Sequence, residues 1–210
     1  MNASYSSIPP APVLDPGAKI AGRFTIRRAL PPGSFGQTYE ATDDRTGKRT
    51  AMRLIQAALV RDKDDAERVR ASVKAAAGLI HRNVVGTYGI GQEPSGDMFL
   101  TMEFVDGQHL RALLERRAQG NKRFSLRGAF NIAALVCHAL THAQSKSVFH
   151  GSLSPYHVMV GRTGRVKVAG FALSRILATL PGLSADLRTY LLGYMAPEAV
   201  LGLAVDHRAD

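Results

Sequence analysis

His150-Gly151-Ser152-Leu153-Ser154-Pro155-Tyr156-His157 is the run on which the reading of this chain turns. It follows a predicted long helix over 125–144, for which Ser125 is a fitting N-cap. Two short predicted strands come after it, 158–160 and 165–169, joined by the turn Gly161-Arg162-Thr163-Gly164. Serine offers no carboxylate to act as a base, and imidazole is a poor ligand for a hard, oxygen-seeking cation.

Upstream the pattern changes. Residues 1–22 are rich in Ser, Pro and Ala, including Pro9-Pro10-Ala11-Pro12, and are expected to form a flexible leader. From Phe24 the chain alternates apolar and polar residues, as half-buried strands do. Strands are predicted at 24–26, 37–41, 50–55, 84–90 and 98–105. Val69, Val73, Ala76 and Leu79 place one helix at about 64–79, and a shorter helix follows at 110–117. Strands with a single helix, then helices with a small hairpin, make two dissimilar lobes around a cleft, here 23–105 and 106–210.

Composition narrows the function classes. With 45% hydrophobic and 21% charged residues in 210, the chain can bury a sizeable core. The lone Cys137 excludes an internal disulfide and fits a reducing, cytoplasmic setting; it sits in an apolar run and is expected to pack. No stretch reaches the roughly 20 apolar residues of a membrane span. Net charge is +10, and residues 111–127 carry Arg111, Arg116, Arg117, Lys122, Arg123 and Arg127 against Glu115 alone. An acidic partner, a membrane surface and a solvated helix and loop all fit that segment. Aromatic residues are not interleaved with these charges, which argues against nucleic acid.

The opening run resembles the protein-kinase catalytic loop H-R-D-L-x-P-x-N, with His, Leu and Pro in register. The resemblance spans about 24–210, is closest to bacterial Ser/Thr kinases, and implies an α+β, two-lobed fold with a partial C-lobe. It also implies what is missing. The catalytic Asp is Ser152, the metal-binding Asn is His157, and the loop Lys is Ser154. Gly170-Phe171-Ala172 stands for D-F-G, so the main magnesium ligand is Gly170. Ala51-Met52-Arg53 stands for A-x-K. Counting back nine residues from His81 in His81-Arg82-Asn83 places the partner Glu of that Lys at Ser72. Glu67 lies roughly 140° away around the same helix and is a poor substitute. In the glycine-rich loop Gly33 and Gly36 remain while Pro31 replaces the first glycine. Leu191 replaces the Thr that braces the catalytic Asp.

Packing positions are kept. Ala51 and Met159 match the residues that sandwich adenine, Met102 the gatekeeper, and Glu103-Phe104-Val105 the hinge. His150, Phe171 and Asp210 match members of the internal spine, and Ala196-Pro197-Glu198 the end of the activation segment, where Ser174, Thr179, Ser184, Thr189 and Tyr190 are possible phosphoacceptors. The resemblance thus implies a pseudokinase: a binding, scaffolding or regulatory module in signalling that engages an active kinase or another signalling protein. No metal site is expected, and the cofactor expectation is at most ATP held weakly without magnesium. Two alternatives stay open: an unconventional ATP-dependent kinase or transferase using Arg53, Glu67, Asp97 and His157, and a non-functional fragment. Apolar positions of the long helix (Ile132, Leu135, Val136, Leu140) are expected to lack cover unless a partner or a longer parent chain supplies it.

Overall fold

The structure, a computed structural model, describes residues 13–31, 37–57, 60, 62–171, 192–201, 203 and 205–210. An antiparallel sheet of six strands forms the N-lobe, in the order β1-β2-β3-β4-β6-β5. These are β1 Lys19–Ile20, β2 Phe24–Ala29, β3 Thr38–Asp43, β4 Lys48–Ile55, β5 Thr87–Gln92 and β6 Met98–Glu103. Both faces of β6 are buried. Met98 and Leu100 turn to one cluster with Ile55 and helix α1 (Lys63–Ala77), while Phe99 joins Tyr39, Ile26 and Met52 in a second. Helix α1 is capped by Asp62, whose side chain accepts from the Asp65 amide at 2.8 Å. It buries Val69, Val73 and Ala76, the stripe its spacing predicts.

The C-lobe holds β7 (Gly107–His109), α2 (Leu110–Gln119), α3 (Leu126–Gln144), β8 (Val158–Gly161), β9 (Val166–Val168), α4 (Pro197–Val200) and a 3₁₀ turn at His207–Ala209. Strands β7, β8 and β9 make a second small sheet. The lobes are stitched together by β9. Val85 N donates to Val168 O at 2.8 Å, Val168 N to Asn83 O at 2.7 Å, and Asn83 Nδ2 to Val166 O at 2.8 Å. Lys167 Nζ donates to Val84 O at 3.0 Å and to Glu103 Oε2 at 2.8 Å. Glu103 Oε2 also accepts from Gly86 N at 3.1 Å.

Several expectations need correction. The leader expected over 1–22 ends sooner, because residues 13–22 pack on the sheet. Ile20 is buried beside Phe24, Ile26 N donates to Ala18 O at 2.9 Å, and Leu14 N donates to the Tyr39 hydroxyl at 3.1 Å. The strand predicted at 84–90 begins at Thr87, since Val84 and Val85 are spent on the bridge to β9. Strand β7 was not foreseen. Gly107 lets it approach β8 closely, and a Cβ there would collide with the Val160 carbonyl.

Helix α3 begins at its predicted cap, Ser125, whose Oγ accepts from Gly128 N at 3.1 Å. Only Ala139 and Ala143 are buried on it. Ile132, Leu135, Val136 and Leu140 are half-buried, while Leu126 and Phe130 are 79% and 72% exposed. Cys137, expected to pack, is exposed, because α3 meets the core only through its C-terminal turns. In the basic segment Arg111 pairs with Glu115, Arg116 Nη2 donates to Gln108 Oε1 at 2.8 Å, and Arg117 stacks on Phe124 at 4.2 Å. These are the partners of a solvated helix and loop. Among the described residues, no helix is long and apolar enough to cross a membrane.

Candidate functional site

Between the sheet and α2 lies a cavity of about 360 Å³. Eight of the residues singled out from sequence line it together: Pro31, Ala51, Arg53, Met102, Glu103, Phe104, Val105 and Met159. Ala51 and Arg53 come from β4, Met102 and Glu103 from the end of β6, and Met159 from β8. One wall is apolar, built from Ala51, Val85, Met102 and Met159, and can take a flat ring. Its charged lining is Arg28, Arg53, Arg116 and Arg162, against Glu103 and Asp106. Neither acid is free: Glu103 is held by Lys167, and Asp106 lies 3.2 Å from Arg162. Gly33 and Gly36 fall outside the described residues, as do Leu191 and the five hydroxyl side chains of the activation segment.

Arg53 is half-buried, and its Nε donates to Thr38 Oγ1 at 3.2 Å. Burial pushes its guanidinium down to about 10, so it remains a cation at neutral pH. Among the described residues no carboxylate lies within ion-pair distance of it. Ser72, where the family's Glu stands, is half-buried on α1, and Glu67 is exposed on the same helix. Asp97 is committed elsewhere, accepting from Ala57 N at 2.8 Å in the turn between β5 and β6. Of the four polar groups proposed for a rearranged transferase, only Arg53 and His157 are brought together, near enough for the charge of Arg53 to act on the imidazole.

The loop after α3 is held from beneath. The Asp210 carboxylate accepts from His150 N and from Gly151 N, each at 2.6 Å. His150 Nε2 bonds to Ala169 O at 2.9 Å, and its ring meets Phe171 edge-on at 5.1 Å. Gly170, between those two contacts, has φ of 100°, a backbone that a side chain rarely tolerates. Ser152 is 5% exposed and its Oγ has no hydrogen-bond partner among the described residues. His157 is 2% exposed, lies 4.6 Å from the His150 ring, and bonds through Nδ1 to Ser154 Oγ at 3.1 Å. His157 is thus a buried ring already tied to a serine. Among the described residues no group of three or more His, Cys, Asp or Glu is placed to hold a metal ion. The donor set does not fit magnesium, which asks for oxygen ligands in octahedral array.

Burial depresses the proton affinity of His157 well below the ordinary 6.5, helped by the charges of His150, Arg53 and His109. Burial also lowers His81, His109 and His150. Each of these rings takes up a proton less readily in the fold than in the unfolded chain. The stability they contribute is therefore complete above about 6.5 and drains as pH falls below it toward the folded values. Urea unfolding at pH 7.5 and 5.5 should show the loss. The His157→Asn variant should lose less, flattening the slope by up to about 1.4 kcal/mol per pH unit. Equal slopes for the two proteins would refute this.

Sequence reasoning missed Thr38, which holds Arg53, and Lys167, which holds Glu103. Lys167 sits between two buried valines, where alternation would point it outward, and no sequence signal marks its inward turn.

Residues 24–210 match the family model for the protein kinase domain, and the chain belongs to that family. Serine/threonine-protein kinase PknA of Mycobacterium tuberculosis is 28% identical over 190 residues, which cover 89% of this chain and 43% of that protein. Serine/threonine-protein kinase PrkC of Bacillus subtilis is 24% identical over 194 residues, covering 92% and 29%. The chain therefore spans less than half the length of these relatives. Among solved structures, the kinase domain of Mycobacterium tuberculosis PknI aligns with a TM-score of 0.74 at 23% identity, over 94% of this chain and 72% of that one. The two-lobed protein-kinase fold follows from these matches, with a sheet-rich N-lobe and a partial, mainly helical C-lobe.

Proposed function

We propose that this chain is a pseudokinase, a protein-kinase domain that works by binding instead of by phosphoryl transfer. One observation carries the reading: Ser152, His157 and Gly170 stand where the family's chemistry needs a base and two metal ligands, and His157 is closed off by Ser154. The cleft keeps an apolar wall and a cationic lining, which supports weak adenine-nucleotide binding without magnesium, on the order of 5 kcal/mol. The exposed apolar face of α3 supports engagement of a protein partner, an active kinase or another signalling protein, in the cytoplasm.

Displacement of a fluorescent ATP analogue, with a chelator present, tests the cleft. Ala51→Trp should fill the space for the base and weaken binding at least tenfold, and Arg53→Ala should weaken it severalfold. Unchanged affinity in Ala51→Trp would place the nucleotide elsewhere, and no binding at millimolar nucleotide would remove it from the reading. A second reading, an active Ser/Thr kinase, is favoured by its relatives PknA and PrkC, both serine/threonine-protein kinases. It requires His157 to act as the base, and the burial of that ring and its bond to Ser154 weigh against it.

A further inference from the structure

Four arginines line the cleft, and their partners differ. Arg28 lies 2.8 Å from Glu40 and Arg162 lies 3.2 Å from Asp106, so both meet an acid. Arg116 is exposed on α2 and donates to Gln108. Arg53 alone of the four is half-buried, and it meets a hydroxyl. Its bond to Thr38 Oγ1 is the one hydrogen bond it makes among the described residues, so Nε is taken while Nη1 and Nη2 have no partner there. Thr38 stands directly opposite Arg53 in the β3–β4 register, which sends both side chains to the same face of the sheet. Both line the cleft, as does Ala51, two residues before Arg53 on that face. Thr38 is 9% exposed and its β-branched side chain has few rotamers, so the hydroxyl is held in place.

A long arginine loses rotamer freedom when it grips an anion, and a partner that fixes it beforehand lowers that cost. The resemblance gives this task to a Glu at the position of Ser72, which has no charge to offer. A hydroxyl differs from a carboxylate in one respect that matters here. It sets the plane of the guanidinium but cancels none of its charge, so the whole cation is left for phosphate oxygens, which the fork can take two at a time. The apolar wall suits a flat base, and Arg53 is where the phosphates of the same ligand meet uncancelled charge. We propose that Thr38 is a positioning residue for nucleotide binding. It holds Arg53 ready for the phosphates and thereby sets how strongly the cleft prefers a nucleotide over its nucleoside. The proposal deepens the reading of the cleft as a weak nucleotide site and rests on it.

Competition by ADP and by adenosine against the fluorescent ATP analogue, on the full chain with chelator present, tests it. The parent should favour ADP, and the ratio of the two affinities reads the phosphate contact. Thr38→Val removes the hydroxyl at similar size and suits a strand. It should weaken ADP by about threefold to tenfold, the cost of ordering one long side chain, and adenosine by less than about twofold. Thr38→Ser, which keeps the hydroxyl, should recover the ADP affinity to within about twofold of the parent. In an Arg53→Ala background Thr38→Val should weaken ADP no further, because the residue acts through Arg53. Equal weakening of ADP and adenosine by Thr38→Val, or a full additional loss in the double variant, would mark a merely structural role and overturn the proposal. Unchanged ADP affinity in Thr38→Val would overturn it as well. A parent that binds neither compound removes the cleft reading and this proposal together, whereas a parent that binds both, with Thr38→Val matching it, defeats this proposal alone.

Discussion

Incubated with magnesium and labelled ATP, the purified chain should phosphorylate neither itself nor an added basic protein. Active protein kinases turn over at about 1–100 s⁻¹. A positioned general base is worth about 10²–10⁴ in rate, and Ser152 cannot act as one. A bound metal supplies several kcal/mol of charge stabilisation, and neither Gly170 nor His157 can hold it. By the resemblance, Arg53 and Ser72 stand for the family's Lys–Glu pair, and one of them is uncharged. These losses act on one event and do not sum, yet turnover should fall below about 10⁻² s⁻¹. Single repairs should restore nothing. Ser152→Asp lacks a metal to work with, and Gly170→Asp forces a side chain onto a backbone at φ of 100°, at a cost of about 1–3 kcal/mol. Labelled product from the parent chain, lost in Arg53→Ala, would contradict this.

The second large effect concerns the loop's foundation. Asp210 accepts two backbone amides at 2.6 Å, at partly buried positions, and thereby fixes the direction of His150 and Gly151. Hydrogen bonds to a charged group contribute about 1.5–3 kcal/mol each. Asp210→Ala should cost about 3–5 kcal/mol in urea unfolding, a large share of the 5–15 kcal/mol typical of a domain. Asp210→Asn keeps one acceptor oxygen and should lose about half as much. A change within about 0.5 kcal/mol for Asp210→Ala would show that the loop holds its shape without the carboxylate.

Local signals account for what could be read from sequence. Alternation gave the central strands, the 69-73-76-79 spacing gave the inner face of α1, and Ser125 announced the start of α3. The cleft residues were legible because Ala51, Met102 and Met159 sit at fixed distances from recognisable turns and loops. Long-range pairings were not legible. Residues 13–22 look like leader because they follow directly on the Ser-, Pro- and Ala-rich run and show no clear alternation, but Ile20 needs only Phe24 and Tyr39 nearby to be buried. Lys167 and Glu103 are 64 residues apart, and neither carries a local mark of its partner. Cys137 misled because an apolar run in a helix implies burial only when something lies against it.

The most direct test of the central claim is calorimetric titration of the chain with ATP, once with excess magnesium and once with chelator. A cleft with a cationic lining and no free carboxylate should bind the bare nucleotide at least as well as its magnesium complex, since the metal cancels charge that Arg53 would meet. Tenfold tighter binding with magnesium would mean that the protein holds the ion after all, and the account of an inert kinase domain would fail.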